Sequence, residues 1–248
     1  PLKLAINIPE IIVHSSNIGS AMIAEKFGPD IQLKFLKKLG FFDPVKLEIP
    51  EISKPQIITD KKRLSTMTIS YGHGISITPV HLATATASII NGGFKSNPSL
   101  IKNSSKNNIK KRIFSENTSL KMRSIMRLVV SNKYGTGKKA EAAGYLVGGK
   151  TGTADKVKKS GGYFKNKNIV AFTGGFPINK PKFVITIMID SPKNHKLYGR
   201  STAGYVAAPV IKKLVTRIAP ILGINPQNDE ALAFTNKLLK YKIRGDEL

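Results

Sequence analysis

The stretch Val147-Gly148-Gly149-Lys150-Thr151-Gly152-Thr153-Ala154 decides how this chain folds. Val147, Thr151 and Thr153 are β-branched and favour an extended backbone, on which alternate side chains share a face. On such a strand Lys150 and Gly152 point one way and Thr151 and Thr153 the other. Glycine weakens a strand unless another backbone or a ligand must come close. Gly148, Gly149 and Gly152 therefore predict a strand that something approaches. A Gly-rich edge strand with a solvated Lys is the plain alternative.

The segments that follow fix how this strand pairs. Residues 155–167 are charged, with Gly161-Gly162 at their tip, which reads as a hairpin connection. Ile169–Phe176 reads as a second strand, Asn179-Lys180-Pro181 as a turn, and Phe183–Asp190 as a third. Short loops between successive strands require antiparallel pairing. The nearly all-apolar composition of Phe183–Asp190 predicts burial on both faces. Ser201–Ile218 reads as a long helix packed on the sheet, with Pro209 marking a kink or a late start. Gly144-Tyr145-Leu146-Val147-Gly148-Gly149-Lys150-Thr151 also fits the phosphate-binding pattern G-x-x-x-x-G-K-[ST]. That loop needs a helix directly after Thr151, its N-terminus facing the phosphates. A basic hairpin stands there instead, so a nucleotide hydrolase is the weaker alternative.

Upstream, the pattern is mostly helical over residues 9–132. Pro9 suits a first helical turn and Glu10 an acidic start. His14-Ser15-Ser16-Asn17 interrupts with groups that hydrogen-bond their own backbone. Ile18, Met22, Ile23 and Phe27 resume helical spacing up to Gly28-Pro29. Ile31, Phe35, Leu36 and Leu39 continue it to a Gly40 cap. Residues 43–62 carry Pro44, Pro50 and Pro55 and read as loop. Thr78-Pro79 opens a helix that ends at Asn91-Gly92-Gly93, and its small residues imply close packing. A further helix starts at Ser115 or Thr118 and ends near Asn132. Gly135-Thr136-Gly137-Lys138-Lys139-Ala140 matches a dinucleotide-loop pattern but does not sit between a strand and a helix.

The bulk composition narrows the function. A hydrophobic fraction of 41% is ordinary for a soluble globular chain. Cysteine is absent, so disulfide and thiolate chemistry are excluded. The four His, at positions 14, 73, 81 and 195, show no ligand spacing, which predicts no metal site. The formal charge of +25 favours polyanions. Yet 33 of the basic residues are Lys, spread over nearly every segment, and only seven are Arg. That dispersal argues against a dedicated nucleic-acid site. No apolar run reaches the about 18 residues of a membrane span.

Four motifs occur in one order. Ser15-Ser16-Asn17 fits S-x-N between two helices. Tyr71-Gly72-His73-Gly74-Ile75-Ser76-Ile77-Thr78-Pro79 leads into a helix closed by Asn91-Gly92-Gly93. Lys150-Thr151-Gly152-Thr153-Ala154 fits K-T-G-T-A. Tyr198-Gly199-Arg200-Ser201-Thr202-Ala203-Gly204 runs on through Ala207-Ala208-Pro209. Together they resemble the transpeptidase domain of the class B, monofunctional, division-type penicillin-binding proteins. The resemblance implies an α+β fold: an antiparallel sheet flanked by helices plus a mostly helical part. It implies a domain over residues 1–222 and a tail over 223–248.

The activity implied is that of a serine-type D,D-transpeptidase that cross-links peptidoglycan stem peptides ending in D-Ala-D-Ala, and that β-lactams stall at the acyl stage. Ser15 would carry protons between the nucleophile and Lys150. Asn17 would orient the base and the substrate amide. Lys150 would add positive potential and help bind the terminal carboxylate. Thr151, Gly152 and Thr153 would hold the substrate, with the Thr153 N–H as an oxyanion donor. Ser15 Oγ is then expected within about 4 Å of Lys150 Nζ. No cofactor is implied. The implied partners are stem peptides, β-lactams and divisome membrane proteins, with no nucleic acid. The implied place is the periplasmic face of the bacterial inner membrane, anchored by a helix outside this chain. A wall- or division-associated binding module without catalysis is the non-enzyme alternative.

One element of the pattern departs. The family's nucleophile lies in an S-x-x-K segment before S-x-N. Only 14 residues precede Ser15, and none is Ser. The string Ser99-Leu100-Ile101-Lys102 follows S-x-N, in a polar loop, and reads as chance. The chain opens in mid-pattern at Pro1, so it reads as part of a longer protein and is expected to be inactive alone.

Overall fold

The computed structural model describes residues 5–102, 111–158, 160–193 and 201–227. In chain order its elements are α1 (Ile8–Val13), α2 (Asn17–Leu39), β1 (Gln56–Ile57), α3 (Arg63–Ile69), β2 (Ile75–Ser76), α4 (Pro79–Ile90), α5 (Glu116–Ser131), β3 (Gly148–Val157), β4 (Tyr163–Phe176), β5 (Phe183–Asp190) and α6 (Ala203–Ile221). A single 3-10 turn, Lys138–Ala140, lies between α5 and β3. The chain forms two compact units, one built on Ser16–Leu120 and the other on Asn7–Ser15 with the residues from Lys121 on.

The first unit is mainly helical. Ser16 caps α2, its Oγ accepting from Gly19 N at 3.1 Å. Gly28 leaves helical geometry at φ 77° ahead of Pro29, so α2 is two helical runs joined at the expected break. Thr78 caps α4, and Pro79 occupies its first turn. Inside this unit His81 is buried with both ring nitrogens bonded: Nε2 donates to Asp43 O at 2.9 Å and Nδ1 faces Thr78 Oγ1 at 2.8 Å. It is a structural histidine. The helix α3 and the short antiparallel pair β1–β2 add to the expected pattern. Two-residue strands carry no period that a sequence could show.

The second unit contains the sheet. Its strands lie in the order β3-β4-β5, both pairs antiparallel. This settles the pairing that the phosphate-loop reading needed to be otherwise, and Thr151 is followed by strand, not helix. The β3–β4 hairpin is longer than expected. Past a bulge near Asp155 the pairing resumes at Val157 opposite Tyr163. The expectation for β5 is corrected: only Ile185 is buried, and Met188 is 49% exposed. Among the described residues β5 is an outer strand, so its apolar composition does not bring burial on both faces.

The helix α6 runs through Pro209 and packs on the sheet. Ala203, Ala207, Ala208, Ile211 and Val215 meet Val147, Val170, Phe172, Phe176 and Ile185 in the main core. Alanine at the contact lets helix and sheet approach closely. Residues 194–200, including Tyr198-Gly199-Arg200, and the tail beyond residue 227 lie outside the described residues.

Candidate active site

The site is assembled in the second unit from the end of α1 and the start of β3. In α1, Asn7 Oδ1 accepts from Glu10 N at 2.9 Å, and Glu10 Oε2 accepts from Asn7 N at 2.8 Å. This reciprocal cap fixes where the helix begins. Its Ile12 and Val13 pack on Leu128 and Val129 of α5. The helix ends at His14, and Ser15 takes a left-handed φ of 56°. Such a backbone is uncommon for a residue with a side chain. It turns the chain out of α1 and leaves the capping of α2 to Ser16. Helix cap and S-x-N element thus coexist in Ser15-Ser16-Asn17, on different residues.

On β3 the alternation holds. Thr151 pairs with Phe172 and Thr153 with Val170, both core residues beneath α6, while Lys150 pairs with Thr173 and Gly152 with Ala171. Lys150 Nζ donates to Ser15 Oγ at 2.7 Å and to Thr151 O at 2.9 Å. The distance expected to be within about 4 Å is therefore a direct hydrogen bond. Lys150 is half-buried, and desolvation pulls its pKa from 10.5 down to about 8. An ammonium poised there can give or take a proton near neutral pH.

The glycines separate into two kinds. A Cβ on Gly149 would lie 2.4 Å from Phe172 Cζ, and one on Gly148 would lie 2.6 Å from Ile178 Cγ1. Packing within the protein explains both. Around Gly152 nothing lies within 4 Å of an added Cβ. Its bare backbone, one step past the Lys150–Thr151 pair, is exposed.

Both threonine hydroxyls meet protein groups. Thr151 Oγ1 donates to Thr136 Oγ1 at 2.8 Å. Thr153 Oγ1 accepts from Ala203 N at 3.0 Å and so supplies the cap that Thr202 does not give α6. Asn17 is exposed and opens α2 in the first unit. Ser99, also in the first unit, donates to Glu48 Oε1 at 2.6 Å, while Leu100 N donates to Glu48 Oε2 at 2.9 Å. These bonds hold the Glu48 carboxyl below its usual range and make the Ser99–Lys102 string a turn.

Arg127 is the residue that motif reading passes over. It is buried on α5, donates through both terminal nitrogens to Glu141 at 2.6 and 3.1 Å, and donates to Val147 O at 2.8 Å. It anchors the strand just ahead of Lys150. The available signal was a charge between Met126 and Leu128 on an apolar helix. Such a charge needs a partner.

A lysine on a Gly-rich antiparallel strand is thus hydrogen-bonded to a serine at the junction that follows α1. The chain belongs to the penicillin-binding protein transpeptidase domain family, whose model matches residues 3–216. It is 35% identical over 240 residues to the probable peptidoglycan D,D-transpeptidase FtsI of Caulobacter vibrioides, covering 92% of this chain and 40% of that protein. It is 32% identical over 235 residues to stage V sporulation protein D of Bacillus subtilis, covering 89% and 35%. The transpeptidase domain of Burkholderia pseudomallei penicillin-binding protein 3 superposes with a TM-score of 0.81 at 28% identity, covering 90% of this chain and 66% of that one. The chain thus spans less than half the length of these two curated relatives.

Proposed function

We propose that this chain is the substrate-holding part of a serine-type D,D-transpeptidase that cross-links peptidoglycan. The observation that carries the reading is the Ser15–Lys150 hydrogen bond beside the uncovered backbone of Gly152. In the reaction a serine oxygen bonds to the carbonyl carbon of the penultimate D-Ala. The amide bond to the terminal D-Ala breaks, and the serine proton ends on the leaving amine. An amine of a second stem then forms an amide at that carbon, the ester breaks, and the serine regains a proton.

Ser15 and Lys150 form the proton path. Asn17 is the asparagine of the S-x-N element, the residue to which the family pattern gives the substrate amide. Gly152 lets the donor peptide lie along β3 as an added strand. The Thr153 N–H serves the oxyanion, and the Lys150 ammonium receives the terminal carboxylate. Thr151 contributes through its backbone, because its hydroxyl proton goes to Thr136. The nucleophile is the serine of the S-x-x-K segment that the family pattern sets before S-x-N. The relatives' names support a place in division. Divisome membrane proteins as partners, and a place at the periplasmic face of the inner membrane with an N-terminal helix as anchor, complete the reading for the full-length protein.

Fluorescent penicillin tests this. The full-length protein should carry covalent label after denaturation, its Lys150→Met variant little, and the 248-residue chain none. Stoichiometric label on the chain alone would place the nucleophile inside it. A full-length protein that never labels favours the binding module without catalysis.

A further inference from the structure

The Ser15–Lys150 hydrogen bond joins two elements far apart in the chain, so something must hold them at one distance. We propose that Thr136 is a positioning residue that keeps Ser15 and Lys150 in register, an inference that rests on the site reading above. Thr136 lies in the Gly135-Thr136-Gly137 loop after α5. Its N–H donates to Val13 O at 3.3 Å, two residues before Ser15. Its Oγ1 accepts from Thr151 Oγ1 at 2.8 Å, one residue after Lys150. Its carbonyl lies against the start of α6, where a Cβ on Gly204 would stand 2.6 Å from Thr136 O. One residue therefore touches all three elements that frame the site.

The loop is itself fixed. Gly137 N donates to Val129 O at 3.0 Å, and a Cβ on Gly135 would lie 2.2 Å from the same oxygen. The two glycines let the loop press on α5, which also carries Val13 through Leu128 and Val129. Thr136 thus sits on a rigid base and reaches both halves of the pair. Held this way, Lys150 keeps its contact with Ser15 and stays poorly hydrated. When the Thr151 tie is lost, β3 shifts at that point, water reaches the ammonium, and the charged form gains.

Competitive amine acylation, read peptide by peptide by mass spectrometry across pH, gives the titration of Lys150 without any substrate. In the wild-type chain Lys150 should titrate well below the surface lysines. Thr136→Val removes the hydroxyl but keeps the N–H and the shape. It should raise the Lys150 midpoint by about half a pH unit or more. Thr136→Ser should restore the wild-type value. Thr151→Val breaks the same bond from the other side and should match Thr136→Val, and the double variant should add nothing further. An unchanged Lys150 midpoint in a folded Thr136→Val chain, or additive shifts in the double variant, overturns the proposal. Should Thr136→Val not fold, Thr151→Val against Thr136→Ser still decides it. Because no penicillin is used, this outcome is separate from that of the labelling experiment.

Discussion

Lys150 shows how one residue can be tuned by its surroundings without an opposing charge. Its lowered pKa comes from desolvation, and its listener is a neutral hydroxyl, Ser15 Oγ. The folded state therefore gives up this proton at lower pH than the unfolded chain. Between about 8 and 10.5 the unfolded chain binds more protons, so this residue's contribution to stability rises with pH across that window. Below about 8 both states hold the proton, and the full penalty of burying the ammonium is present. The whole excursion is on the order of 3 kcal/mol, an upper bound for a half-buried group. Urea denaturation of the wild-type chain and of Lys150→Met at pH 7 and pH 10 measures it. Relief of general self-repulsion is common to both and cancels in the difference. The wild-type chain should gain on the variant as pH rises, and parallel stability curves would show an ordinary lysine.

At the scale of elements, β3 is held at its start by α5 and along its length by Thr136 and α6. The Arg127–Glu141 pair is asymmetric: the Arg127 side chain is 6% exposed and the Glu141 side chain 37%. Removing the acid strands a buried cation, whereas removing the base leaves a carboxylate that water can reach. Glu141→Ala should therefore cost about 3 kcal/mol. Arg127→Met should cost about 1–2 kcal/mol, chiefly for the unpaired Val147 carbonyl. Urea midpoints that ranked the two the other way would sink this account of the strand's anchor. Much of this level is legible in the sequence. Thr78-Pro79 and Asn91-Gly92-Gly93 bound α4 because caps act locally, and the short turns between β3, β4 and β5 dictate antiparallel pairing. The S-x-N and K-T-G elements are legible as motifs, since their residue types are chemically distinctive. The rest is not legible for a physical reason. Thr136 and Arg127 act across space, through partners such as Val13, Thr151, Glu141 and Val147 that no fixed spacing reveals. The exposure of β5 depends on its place in the strand order, which composition alone does not encode.

For the whole molecule, the charge of +25 acts at long range and the site acts at contact. Lysines spread over the whole chain make a field without a shape, which attracts anions but does not select among them. Lys150 differs from this background in being half-buried on a Gly-rich strand, where solvent ions screen less. The two effects should therefore separate with salt. Binding of the chain to polyglutamate and to unrelated DNA duplexes should be similar at low ionic strength. It should fall steeply, by orders of magnitude, as salt rises from about 0.05 to 0.2 M. Lys150→Met, which removes one charge of many, should leave that binding nearly unchanged. Penicillin acylation of the full-length protein should show the reverse pattern, with a weak response to salt and a strong response to Lys150→Met. Fluorescence anisotropy with labelled polyanions, beside gel-based penicillin labelling at matched salt, makes the comparison. A duplex bound tightly in a sequence-dependent way at about 0.2 M salt would show that the basic surface has a partner of its own, and the division between field and site would fail.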